Sequence, residues 1–170
     1  MPLKANAVES PSLCPLAIPR FVCDEMLKGL GEWLRVAGYD TRMAISGSED
    51  RRVLAMAVEE DRWLITCDRE LLCHRRGPEY TILLESDNLK DQIRELTWRL
   101  NLDWLFAPFS RCKRCNTLLE KGALPYSNEQ PDPGRAMMRH CPNCRQSFWQ
   151  GSHVRRMRGR LQAFNQSRRC

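Results

Sequence analysis

The sequence predicts an α/β fold: a mainly parallel sheet with helices on both faces, followed by a small cysteine-rich module. Three observations predict it. Short β-branched and aromatic runs alternate with helically spaced apolar residues through the first hundred positions. Two Cys-x2-Cys pairs fall after residue 110 of the 170. The charge divides between the same two parts, with 14 basic and 18 acidic residues in 1–110 but 13 and 3 in 111–170. The overall +6 is therefore an acidic body joined to a strongly basic end. Such asymmetry fits contact with nucleic acid or an anionic surface, or a solvated basic face.

The elements follow in order. Residues 1–19 read as a flexible leader interrupted by Pro2, Pro11, Pro15 and Pro19. Phe21-Val22-Cys23 is a short buried strand ending at Asp24. Met26, Leu27, Leu30, Trp33, Leu34 and Ala37 recur at helical spacing, and Gly38 caps the helix. Thr41–Ile45 is the second strand. Ser46-Gly47-Ser48 turns the chain and offers N-caps to a helix through Glu60. Trp63–Thr66 is the third strand, and Asp68 opens a short helix that Gly77-Pro78 breaks. Tyr80–Leu84 is the fourth strand. A helix from Leu89 to Leu100 follows, with Ile93, Leu96, Trp98 and Leu100 available for packing.

No apolar run approaches the ~18–20 residues of a membrane span. The first twenty residues lack the apolar core of an export signal. The nine cysteines therefore read as thiols or metal ligands of an intracellular protein, cytoplasmic or nuclear, rather than as a disulfide framework.

In parallel sheets, function collects beyond the carboxyl ends of the strands. An acid stands near every such end: Asp24 after the first strand, Glu49 and Asp50 after the second, Asp68 after the third, Glu85 and Asp87 after the fourth. Converging carboxylates repel one another unless a cation is present, and oxygen ligands suit Mg²⁺ or Mn²⁺. The plainer reading is that each acid caps a helix, and one side chain can do both. Lys28, Arg35, Arg51 and Arg69 lie near these exits, either to meet a phosphodiester or as surface and salt-bridge residues.

Cys112-x2-Cys115 and Cys141-x2-Cys144 are separated by 25 residues. Two such pairs build a closed tetrahedral thiolate site suited to structural Zn²⁺. Pro125, Pro131, Pro133 and Gly134 predict an extended loop between them. A module this small cannot build an adequate core without the metal, so Cys115→Ser is expected to unfold it and leave residues 20–105 folded. His140 adjoins Cys141 but four thiolates suffice; His74 and His153 read as ordinary polar residues. Cys23 and Cys67 read as small buried hydrophobes. Val154, Met157, Leu161 and Phe164 then recur at helical spacing among Arg155, Arg156, Arg158 and Arg160, with no acid after His153. This is a helix that packs an apolar stripe and offers arginines to phosphates, or a docking helix with a solvated back.

The run Phe21-Val22-Cys23-Asp24-Glu25-Met26-Leu27, through Gly31-Glu32-Trp33-Leu34-Arg35 to Gly38-Tyr39-Asp40, resembles the Mut-seven C-terminal RNase family. So do Leu64-Ile65-Thr66-Cys67-Asp68-Arg69-Glu70-Leu71, the two Cys pairs with Arg111 and Asn116, and Phe148-Trp149-Gln150-Gly151-Ser152-His153. The resemblance covers about residues 20–154. It implies a PIN-like nuclease domain with a zinc ribbon. It further implies Mg²⁺ or Mn²⁺ at Asp24, Asp50 and Asp68, with Asp87 as a fourth position, and phosphate contacts from Lys28, Arg35 and Arg69. The glutamate that PIN patterns carry on an early helix is not placed in this sequence. Full-length relatives carry a separate 3′–5′ exonuclease domain, whose activity is not expected of these residues.

The expected organisation is a leader (1–19), a PIN-like domain (20–107), a zinc ribbon (108–154) and a basic helix or tail (155–170). The expected function is metal-dependent hydrolysis of phosphodiesters, most naturally in single-stranded RNA, with a possible protein partner at the ribbon. The alternatives are an inactive nucleic-acid-binding or scaffold module and a protein–protein adaptor.

Overall fold

The computed structural model describes residues 18–122, 139–149 and 151–168. Most of the expected leader, most of the proline-rich loop between the Cys pairs, and Cys14 and Cys170 lie outside the described residues. The elements run β1 (Phe21–Cys23), α1 (Lys28–Ala37), β2 (Thr41–Met43), α2 (Asp50–Glu59), β3 (Trp63–Thr66), α3 (Gly77–Tyr80), β4 (Thr81–Leu83) and α4 (Leu89–Leu100). Then come β5 (Glu120–Lys121), β6 (Arg139–His140), β7 (Ser147–Phe148) and α5 (Ser152–Asn165). Single 3₁₀ turns precede α1 at Glu25–Leu27 and α3 at Glu70–Cys73.

The first four strands form one parallel sheet in the order β2-β1-β3-β4. Alternation along the strands divides the core in two. Phe21, Cys23, Ile65 and Ile82 face α1, α4 and α5, where they meet Leu30, Leu34, Ile93, Leu96 and Leu161. Val22 and Leu64 face the other way, against Val53, Leu54 and Ala57 of α2 and Tyr80 of α3. The last three strands form a separate antiparallel sheet, β5-β6-β7.

Several local expectations are corrected. Met26 is 83% exposed, because it sits on the 3₁₀ turn rather than on α1. Trp98 is 58% exposed; Gln92 and Thr97 are buried on α4 instead. Glu49 is the N-cap residue of α2, with no side-chain capping bond, while the Ser46 hydroxyl donates to Glu25 Oε1 (2.6 Å). Gly77-Pro78 opens α3 rather than ending structure, since proline fits the first helical turn.

The segment after Leu102 is laced to α1. Ala107 N donates to Ala37 O and Phe109 N to Val36 O, which satisfies carbonyls that a helix end leaves free. Gly38 holds φ +104°, and a Cβ there would collide with Ala107, so glycine meets two demands at once. The α5 helix closes the core as its apolar spacing predicts. Leu161 is fully buried, and Phe164 packs edge-on against Trp33 and Trp104.

A polar joint binds the cysteine module to the sheet. Arg62, with its side chain 4% exposed, donates to both Asp40 oxygens, at 2.9 and 3.2 Å. Asn116 Nδ2 donates to Asp40 Oδ1 (2.7 Å), and Asn116 Oδ1 accepts from Thr41 N (3.0 Å) on the outer edge of β2. That pairing covers a backbone donor an edge strand would otherwise leave open. Arg35, on α1, donates from Nε to Thr41 O (2.7 Å) and from Nη1 to Lys113 O and Arg114 O (3.1 and 2.8 Å).

Burial alone would raise the Asp40 carboxyl, but hydrogen bonds from Arg62 and Asn116, with the Arg62 and Arg111 charges, hold it down at about 2. A depressed carboxyl stabilises the fold above its unfolded pKa and loses that contribution as pH falls through the folded one. The thermal midpoint is therefore expected to drop between pH 3.8 and about 2. Asp40→Asn should flatten that part of the profile in thermal denaturation; an unchanged profile would remove Asp40 from this role.

Candidate functional site

Because β1 to β4 are parallel, the chain leaves all four on one side of the sheet. There Asp50, Asp68 and Glu70 place carboxylate oxygens within 4.8 Å of one another. Asp50 begins α2, Asp68 follows β3, and Glu70 opens the next 3₁₀ turn. Asp24 stands beside this trio and is joined to it through Thr66. The Thr66 hydroxyl donates to Asp24 Oδ2 (2.7 Å) and accepts from Asp68 N (3.0 Å). Asp24 Oδ1 accepts from Glu25 N, and Asp68 Oδ1 from Glu70 N, so both acids also act as turn caps. Three carboxylates this close suit a hard divalent cation, whose charge offsets their repulsion.

The other expected positions separate. Asp87 is exposed beyond β4. Together with Glu95 and Asp24 it adds to burial in raising the Cys67 thiol, with burial the largest cause. Lys28 and Arg69 are exposed near the rim. Arg35 is 6% exposed and commits Nε and Nη1 to the carbonyls named above, so it acts as a clasp. Glu70 is the acid that sequence reasoning missed. Its signal was present in Thr66-x-Asp68-x-Glu70, where a tight turn brings alternate residues to one side.

The Cys112, Cys115, Cys141 and Cys144 sulfurs also lie within 4.8 Å of one another. Cys112 and Cys144 are 3.5 Å apart, Cys115 and Cys141 3.3 Å. A tetrahedral thiolate site with zinc–sulfur bonds of ~2.3 Å has sulfur–sulfur edges of ~3.8 Å, so the set fits. The two pairs fold alike. Cys112 N and Cys141 N each donate to the carbonyl five residues on, Thr117 O and Gln146 O, at 2.8 and 2.9 Å. Asn116 and Arg145, each following the second cysteine of its pair, both take positive φ (70° and 54°). Without a metal the thiols divide their protons unevenly: burial raises Cys112 and Cys141, while hydrogen bonding with Thr117 and the neighbouring thiols lowers Cys115 against its own burial. Cys23, outside the cluster, is pushed up to about 12 by burial and is an ordinary core residue. His140 sits outside the sulfur cluster, with Nε2 3.3 Å from a Glu120 oxygen.

Outside the sheet, α5 carries Arg155, Arg156, Arg158 and Arg160 at the surface. Arg158 and Arg160 lie over the Phe109 and Trp33 rings. Among the described residues, no helix is long and apolar enough to cross a membrane.

Residues 19–161 match the family profile of the Mut7-C RNAse domain. The chain is similar to the human "Exonuclease mut-7 homolog", with 30% identity over 131 residues, covering 66% of this chain and 15% of that protein. It thus spans a small part of that relative's length. No solved structure matches.

The joint changes the expectation for Cys115→Ser. Losing the knuckle frees the carbonyls that Arg35 holds and leaves a buried guanidinium without those partners. We expect the substitution to abolish thiolate charge-transfer absorption with Co²⁺ and to raise amide exchange at Thr41 and in α1, as well as in the cysteine module. Exchange confined to the module would show that the joint carries no stability.

Proposed function

This chain belongs to the Mut7-C RNAse domain family, and from that premise we propose that it is a metal-dependent nuclease acting on single-stranded RNA at the rim of its parallel sheet. The observation that carries this reading is the meeting of Asp50, at the start of α2, with Asp68 and Glu70, on the turn after β3. These residues would hold Mg²⁺ or Mn²⁺. Such an ion activates water and steadies charge on the phosphoryl group during in-line displacement. Asp24, which lies outside that cluster, is linked through the Thr66 hydroxyl to the Asp68 turn and would act by holding that turn. Asp87 lies at the far exit as an outer acid. Lys28 and Arg69 are exposed cations available to phosphates beside the scissile bond. The four cysteines would hold a structural Zn²⁺ that keeps the PIN-like domain and its ribbon as one unit. The arginines of α5 add sequence-independent attraction for the RNA backbone.

A second reading, an inactive nucleic-acid-binding module, is favoured by one observation. Both Asp24 oxygens and one Asp68 oxygen are already used as local hydrogen-bond acceptors.

The two readings separate in a cleavage assay on labelled single-stranded RNA with Mn²⁺. Asp68→Asn and Glu70→Gln are each expected to cut cleavage on the order of 100-fold, as loss of a group stabilising transition-state charge does. RNA affinity measured without divalent ion should change little. Equal cleavage by native and substituted chains would refute the nuclease reading. Binding without cleavage by the native chain would establish the second.

A further inference from the structure

A cleft of about 480 Å³ opens between α1 and the chain leaving β2. One wall is α1, which presents Lys28, Glu32 and Arg35 at i, i+4 and i+7, a single helix face about 10 Å long. The opposite wall is the chain leaving β2, from Met43 to Ser46. At the near end stands Glu25, adjacent in sequence to Asp24. Arg114, between the first two cysteines, lines the far end.

Three features suit this cleft to an anionic chain. First, Lys28 and Arg114 are exposed cations near its two ends, with the Arg35 guanidinium between them. Two carboxylates share the lining with these three cations: Glu32 on the α1 face, and Glu25, which accepts from Ser46 Oγ (2.6 Å) and Gly47 N (3.0 Å) and so ties down the turn leading to Asp50. Second, Arg35 grips the Lys113 and Arg114 carbonyls, so α1 fixes the knuckle residue whose side chain lines the cleft. Third, Met43 of the lining packs directly onto α1 at Gly31. A Cβ there would collide with Met43 Sδ, so glycine, costing about 1 kcal/mol in a helix interior, lets Met43 lie flat against α1.

We propose that this cleft holds the RNA segment next to the nucleotide at the rim, with Lys28 and Arg114 on its phosphates, Met43 beneath, and Arg35 positioning the knuckle. The inference rests on the nuclease reading and deepens it. The knuckle then closes one end of the substrate path, so the cysteine module contributes the Arg114 side chain to binding as well as stability.

The test uses the zinc-loaded full chain and a labelled single-stranded oligouridylate. Anisotropy titrations run across a salt series without added Mg²⁺ or Mn²⁺, alongside Mn²⁺ titration followed by electron paramagnetic resonance. Lys28→Glu and Arg114→Glu are each expected to weaken RNA binding about tenfold and to lower the slope of log affinity against log salt by about 1. Mn²⁺ binding should stay native in both. The milder Lys28→Ala and Arg114→Ala should move in the same direction. Arg94→Glu, on an exposed arginine of α4 paired with Asp91, should bind as native. Native affinity and slope in both cleft variants, with native cleavage intact, would overturn the cleft and leave the rim standing. A native chain that neither binds nor cleaves RNA would overturn both.

Discussion

Four strands running the same way impose the constraint on which the rest of this molecule depends. Parallel pairing in the order β2-β1-β3-β4 makes every strand discharge its chain at one rim. The residues that follow are short polar turns into helices, and acids are favoured there as caps. Parallel register thus turns local capping preferences into a shared electrostatic feature. Asp50, Asp68 and Glu70 meet within 4.8 Å, an arrangement that costs repulsion and is eased by a cation. The sheet tolerates that cost because its body is well buried on both faces, with Phe21, Val22, Leu64 and Ile65 fully enclosed.

The cysteine module is built into this arrangement. Its first knuckle is tied to the sheet domain: Arg35 takes two knuckle carbonyls, and Asn116 bridges Asp40 and Thr41 N. Arg111 adds a bond to Gly38 O, at the end of α1. The Arg35 bonds address main-chain carbonyls of the knuckle, whereas Asn116 and Arg111 reach the sheet domain with their side chains. These bonds connect the sulfur cluster to the edge strand and to α1.

Much of this was legible in the residues. The bounds of β1, β3 and α4 match the expected ones, because each has a clear apolar pattern with an unambiguous stop. The Cys-x2-Cys pairs announced the sulfur cluster, since two-residue spacing is itself the knuckle. What was hidden depended on distant partners. Arg35 was expected as a phosphate contact or a surface cation, but it is buried on carbonyls 78 and 79 residues away. Glu70 lay within a family-like run, yet its value as a third carboxylate needed the turn geometry after β3. Met26 fitted the helical period but falls on the 3₁₀ turn, where that period no longer decides burial. Trp98 is exposed on α4, where Gln92 and Thr97 take the inner face, Thr97 accepting from Trp104 Nε1 (2.7 Å).

The central claim is that the acids at the strand exits hold a divalent ion. The most direct measurement is anomalous diffraction from crystals of the zinc-loaded chain soaked in Mn²⁺. We predict a manganese peak with Asp50, Asp68 and Glu70 oxygens at the ~2.1–2.2 Å typical of a small hard cation. It should be separate from a zinc peak among the four sulfurs. Zinc among the sulfurs with no manganese density at the rim would contradict the claim.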